Sequence, residues 1–301
     1  MTDAAPPPPT SLDALPPPAM ARRAEDVGTA KAGLGALDTL VLAALAGAFI
    51  ALGAAFSNAV TAGGVDLPYG VARLLGGLAF SLGLILVVVA GAELFTGNAL
   101  IVMAWASRRV TTARLLRNWS LVFVGNAAGA IATAGLVYAG GVHRFGGGSV
   151  GAQAIATAVH KTGLSFGQAI ALGVLCNGLV CLAVWLTYSA HSTTDKVFAI
   201  VFPITAFVAA GFEHSIANLY FLPYALFVEH DAAVAAATHV PAGAGPTWGS
   251  FLVDNLLPVT IGNVLGGTCL VAAVYWLVYL RPGREVPSSD DPPATGGAPR
   301  R

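Results

Sequence analysis

The chain has 301 residues, of which 56% are hydrophobic and 10% charged, and its formal net charge is zero; its mean hydropathy is +0.74. Soluble domains carry about 25% charged residues, so this composition excludes a water-solvated globule and points to lipid as the solvent. No basic tract marks a nucleic-acid partner, and Cys176, Cys181 and Cys269 lie in apolar runs without a CxxC pair or a disulfide framework.

The amino-terminal stretch carries Pro6 to Pro9 and Pro16 to Pro18 and has no apolar core of a signal peptide. Residues 1–34 therefore read as a disordered, Pro-rich tail. An apolar helix needs about 20 residues to cross a bilayer core of roughly 30 Å. Five uncharged segments meet this length or nearly so: Thr39 to Val60, Leu74 to Ala92, Asn118 to Val142, Thr162 to Ala190 and Asn255 to Leu280. Another, Val197 to Val228, is interrupted at Glu213-His214 and reads as two unequal pieces joined by a polar break. The expected organisation is a six-span channel domain over residues 35–281, with a second disordered tail over 282–301. If both termini are cytoplasmic, the inner side holds twelve Lys and Arg residues and the outer side only Arg73, Arg144 and Lys161, the asymmetry that sets orientation.

Two motifs recur. Gly91-Ala92-Glu93-Leu94-Phe95-Thr96-Gly97-Asn98 and Gly211-Phe212-Glu213-His214-Ser215-Ile216-Ala217-Asn218 share G-x-E-x-x-x-x-N at an offset of 120 residues. Gly125-Asn126-Ala127-Ala128-Gly129 and Gly262-Asn263-Val264-Leu265-Gly266 share G-N-x-x-G at an offset of 137. Matches between spans 2 and 5, then 3 and 6, predict a 3+3 inverted repeat in an all-α membrane protein. The first and fourth spans are too diverged to align.

Glu93 and Glu213 are the acidic residues deep within apolar sequence, where a carboxylate is expensive and functional by default. Their neighbours predict that spans 2 and 5 are broken by irregular backbone, tolerated at membrane depth only beside protein or a water-filled cavity. Each Glu then either lines a path or caps the following half-helix. His214 is a titratable group in an otherwise uncharged region. It either donates to a passing anion or packs between helices, and copy one has Leu94 in its place. Half-helix dipoles at the breaks favour an anion over a cation. Lys161 either draws anions to the mouth or snorkels. Asn126 reads as structural, while Asn177 and Asn263 stay open between structure and pore lining. No nucleophile elbow, HExxH, Walker A loop or GxGxxG is present, so neither an enzyme nor a cofactor site is expected.

The two G-x-E-x-x-x-x-N runs, Asn255-Leu256-Leu257-Pro258-Val259-Thr260-Ile261-Gly262-Asn263, Val180-Cys181-Leu182-Ala183-Val184-Trp185 and Asp195-Lys196 resemble the formate/nitrite transporter family over about residues 35 to 282. The resemblance implies an aquaporin-like six-helix protomer, a homopentamer in the bilayer with a pore in each subunit, and passage of formate or, in relatives, nitrite, hydrosulfide, acetate or lactate. It implies a gate-like segment at Leu94, Phe95 and Thr96, a pore histidine at His214, and apolar constrictions from Phe80, Leu84, Val180 and Phe207. By the same resemblance Asn177 and Asn263 lie near the inner path, and Lys161 attracts the anion. The expected activity is conduction of a small monovalent anion, formate first, with a proton linked to it through His214. A neutral-solute channel of aquaporin type is the rival, although paired Asn-Pro-Ala boxes are absent.

Overall fold

The computed structural model describes residues 14–63, 67–241 and 243–281, and among these there is helix and turn but no strand. The helices are α1 (Pro17–Gly33), α2 (Ala36–Thr61), α3 (Tyr69–Ala90), a 3-10 turn (Gly97–Ile101) running into α4 (Val102–Ala106), α5 (Thr112–Ala139) and α6 (Ser149–Thr162). They continue with α7 (Phe166–Tyr188), α8 (Thr193–Ala209), α9 (Ser215–Val228), α10 (Ala232–Ala237), α11 (Leu257–Leu265) and α12 (Val274–Tyr279). The last two belong to one helical rod, Ser250–Tyr279, with π-helical stretches at Ser250–Leu256 and Gly266–Ala273.

Five of these, α2, α3, α5, α7 and the Ser250–Tyr279 rod, are long and apolar enough to cross a membrane. Gly97–Ala106 and Ser215–Val228 are apolar but shorter. Large apolar side chains face outward, among them Leu136 at 73% and Phe202 at 70% exposure. A water-soluble protein would pay for that surface; lipid or another subunit does not penalise it.

Crossings follow the small residues. α2 lies against α5, and α7 against the rod that holds α11. At Gly129 a β-carbon would run into the Ala44 carbonyl, and at Gly266 into that of Val174. The G-N-x-x-G motif thus marks a backbone-to-backbone approach that larger residues would forbid.

Both G-x-E-x-x-x-x-N runs are interruptions between helices. α3 stops at Gly91 (φ +81°) and α8 runs out just before Gly211 (φ +78°), two left-handed positions where a β-carbon is strained. Helix resumes at Gly97 in the first case and at Ser215 in the second.

One expectation is corrected. Residues 17–33, assigned above to a disordered tail, form α1. Pro17 and Pro18 occupy its first turn, where a missing N–H costs nothing. Ala21, Ala24, Gly28 and Ala32 make a buried stripe at helical spacing. Ala21 and Ala24 pack with Leu100, Met103 and Trp185. Arg109 clips the outer face of α1 through Asp26 at 2.6 Å and Glu25 at 3.2 Å. The expectation for residues 1–13 and 282–301 lies outside the described residues.

Candidate functional site

The two interruptions are held by the same set of bonds. Glu93 takes an ion pair from Lys31 at 2.6 Å and a hydrogen bond from Asn98 Nδ2 at 2.8 Å. Asn98 Nδ2 also donates to Asn118 Oδ1 at 3.0 Å. Glu213 takes an ion pair from Lys161 at 2.8 Å and a hydrogen bond from Asn218 Nδ2 at 2.8 Å. Asn218 Nδ2 donates in turn to Asn255 Oδ1 at 2.6 Å. The backbone is matched as well. Glu93 N–H donates to Leu42 O and Glu213 N–H to Leu172 O. Asn126 accepts from Phe95 N–H at 2.9 Å and donates to Ala43 O and Glu93 O. Asn263 accepts from Ser215 N–H at 2.9 Å and donates to Gly173 O and Glu213 O.

The motif letters now have physical meaning. Gly makes the left-handed turn, Glu is the buried acceptor, and Asn five residues on is its donor. The pairs Lys31/Lys161, Leu42/Leu172 and Ala43/Gly173 share an offset of 130 residues, which supplies the register that α2 and α7 lacked in sequence. Neither glutamate caps the helix that follows it. The cap of α9 is His214, whose Nδ1 accepts from Ala217 N–H at 3.1 Å.

That cap fixes the imidazole. With Nδ1 an acceptor, the ring proton sits on Nε2, which lies 2.9 Å from Thr96 Oγ1. His214 donates to Thr96, and the Thr96 hydroxyl hydrogen is left free to point elsewhere. Both residues are buried, at 2% and 0% exposure. The Thr96 carbonyl is gripped from α7 by Asn177 Nδ2 at 3.2 Å and Cys181 Sγ at 3.4 Å.

Two chambers flank this pair and share no lining residue. The first, about 290 Å³, is lined by Leu84, Glu93, Leu94 and Lys31 among others. The second, about 800 Å³, is lined by Phe80, Phe207, Lys161, Glu213 and His214 among others. Phe80 and Phe207 meet edge-to-face at 5.5 Å, and the Phe207 ring stacks on His214 at 5.9 Å. Lys161 is 12% exposed in its side chain, is paired to Glu213 and lies 5.5 Å over the Phe221 ring.

Of the residues singled out in the sequence, Phe95, Thr96, Asn177, Val180 and Asn263 line neither chamber. Thr96, Asn177 and Asn263 belong to the bonded frame between them. Phe95 turns toward α5, against Trp119 and Phe123. Val180 is buried in the core that also holds Leu94 and Phe207. Lys31 was missed because it fell in the supposed tail. The signal was there: two of the three lysines stand at the offset that relates α2 to α7. Among the described residues no group of three His, Cys, Asp or Glu side chains is placed to hold a metal.

Apolar helices long enough to span a bilayer, wrapped around two interrupted segments and buried ion pairs, define an integral membrane protein. The chain belongs to the formate/nitrite transporter family: the family model described as "Formate/nitrite transporter" matches residues 18–277. It is 45% identical to the formate channel FocA of Escherichia coli strain K12, covering 90% of this chain and 96% of that one. It is 39% identical to a probable formate transporter of Methanothermobacter thermautotrophicus, covering 83% and 91%. Among solved structures it superposes on a pentameric formate channel with formate bound, with a TM-score of 0.76 and 45% identity over 82% of this chain and 98% of that one.

Proposed function

We propose that this protein is a formate channel of the plasma membrane, a homopentamer with a pore in each subunit and both termini cytoplasmic. The observation that carries the reading is the Thr96–His214 pair at 2.9 Å, buried between two chambers where the two interruptions meet. The formate channels similar to this chain, one of them solved as a pentamer with formate bound, support the substrate and the assembly. The excess of Lys and Arg on one side supports the orientation. The twin bond sets around Glu93 and Glu213 support a 3+3 inverted repeat whose second and fifth spans are broken.

In this mechanism the anion enters the second chamber past the Lys161–Glu213 pair and sheds water between Phe80 and Phe207. There a carboxylate loses solvation it must recover from fixed donors. The Thr96 hydroxyl, oriented by Nε2–H of His214, is such a donor. Leu84 and Leu94 form the apolar passage into the first chamber, where Lys31 stands. Asn177 and Asn263 frame this path, and Phe95 and Val180 pack behind it. A proton-linked mode through His214 requires a second proton on Nδ1, which would strip Ala217 N–H of its acceptor. Hydrogen bonding through Thr96 is therefore the favoured mode.

The test is formate flux into proteoliposomes at two pH values, with nitrite and hydrosulfide as competitors and water permeability measured in parallel. Saturable or competed formate flux that falls on Thr96→Val or on a His214 substitution supports the reading. Water flux without formate flux would replace it with a neutral-solute channel.

A further inference from the structure

The first chamber carries more positive charge than the proposed path uses. Lys31 in its wall is matched by Glu93 at 2.6 Å. Arg23 from α1 and Lys196 from the first turn of α8 line the same chamber, and neither makes an ion pair with a described residue. Arg23 is exposed and Lys196 half-buried, so a ligand reaches both without unfolding anything. The same lining is part hydrocarbon, from Val27, Leu84, Val88 and Val184, and part polar, from Glu93, Asn98, Thr187 and Tyr188.

We propose that this chamber is a binding site for a small dicarboxylate dianion, which blocks anion flow from the α1 side instead of crossing. A monoanion satisfies one of the two cations. A dianion with a short hydrocarbon spacer satisfies both, with Arg23 able to take a carboxylate through two parallel N–H bonds and the spacer lying on the apolar wall. The volume of about 290 Å³ is several times what formate fills and suits a chain of three to five carbons. Leu84 and Leu94 are also in the lining, and passing such side chains would require two charges to be desolvated at once. A ligand bridging Arg23 and Lys196 also ties α1 to α8 and stabilises the folded protein by mass action.

The blocking part rests on the channel reading above; the binding part does not. Succinate and malonate are titrated onto the purified full chain in detergent by calorimetry and thermal shift, with inorganic phosphate and formate as comparisons. Binding is measured for wild type, Arg23→Gln and Lys196→Gln, and formate flux is measured with succinate on either side of the bilayer. Succinate is expected to bind and raise the unfolding midpoint, each substitution weakening it about tenfold, and to inhibit from one side only. No succinate binding, or binding unchanged in both variants, overturns the site, as does phosphate binding as tightly as succinate. Arg23- and Lys196-dependent binding without formate flux in any sample retains the site and removes the channel reading. Formate flux without succinate binding does the reverse.

Discussion

Nε2 of His214 lies 2.9 Å from Oγ1 of Thr96, although 118 residues separate them in the chain. Because His214 Nδ1 already caps α9, the ring has one job left for Nε2, which is to donate to Thr96. The hydroxyl is thereby turned into an oriented, buried donor. Replacing Thr96 by Val removes that donor and leaves the His214 N–H unpaired. A hydrogen bond to a charged group is worth about 1.5–3 kcal/mol, so formate flux in proteoliposomes should fall roughly ten- to a hundredfold. Thr96→Ser keeps the hydroxyl and should stay near wild type. Equal loss in both variants would mean that shape and not the donor matters.

The paired lysines make a second prediction. Removing one partner of a buried ion pair leaves a charge without compensation and typically costs about 3–5 kcal/mol. Lys161→Met should lower the thermal midpoint of the detergent-solubilised protein, and adding Glu213→Gln should restore much of it. Lys31→Met should cost less, because the Lys31 side chain is 27% exposed against 12% for Lys161. Full additivity of Lys161→Met and Glu213→Gln would contradict the pairing.

The sequence made the long apolar helices legible because lipid demands long apolar runs, and the two G-x-E-x-x-x-x-N motifs fall between helices. Gly91 and Gly211 head the two motif copies, and the structure gives their reason, since a left-handed helix end has few other solutions. Three things were not legible. α1 escaped because its buried stripe is Ala and Gly, residues that carry no hydrophobic contrast, behind a prolyl run that suggested disorder. The Lys31–Glu93 pair spans 62 residues, so local spacing says nothing of it. The role of Glu213 was not legible either: the sequence offers the glutamate as a cap, and the geometry gives the cap to the neighbouring His214 imidazole.

Outside the spans, Asp231 offers a pH dependence of known sign. Arg144 donates to its carboxylate at 2.9 Å, Ala233 N–H at 3.0 Å, and His143 Nε2 lies 3.2 Å away. Led by Arg144, these donors hold its pKa down from 3.8 to about 2, against the opposing effect of desolvation. A depressed folded pKa means stability that is fully present above the unfolded value and lost as pH falls. The thermal midpoint should therefore drop between about pH 4 and pH 2, the window set by those two values. Asp231→Asn should start lower at neutral pH and show a flatter acid slope. Unfolding scans at several pH values check this, and an unchanged slope would assign the acid sensitivity to another group.

The grip of α7 on Thr96 is the last testable element. Asn177 donates through Nδ2 to Thr96 O at 3.2 Å and to Asn263 O at 2.6 Å, and Cys181 Sγ lies 3.4 Å from the same Thr96 carbonyl. The corresponding α2 positions, Gly47 and Ala51, carry no side-chain donor, so this clamp exists on one side of the site only. Gly267 leaves room for it, since a β-carbon there would meet Asn177 Nδ2 at 2.5 Å and Cys181 Sγ at 2.9 Å. Asn177→Leu removes one donor from each of two buried carbonyls that keep others, Gly266 N–H on Asn263 O and Ala99 N–H with Cys181 on Thr96 O. At about 0.5–1.5 kcal/mol per hydrogen bond the loss is moderate, and it lets the Thr96 hydroxyl drift from Nε2 of His214. Flux should fall and the thermal midpoint with it. Cys181→Val removes only a weak thiol donor at similar size, so it should lower flux modestly while leaving the midpoint nearly unchanged. Cys181→Ser keeps a donor and should conduct better than Cys181→Val. If the Val and Ser variants conduct equally, the thiol packs against Thr96 without orienting it.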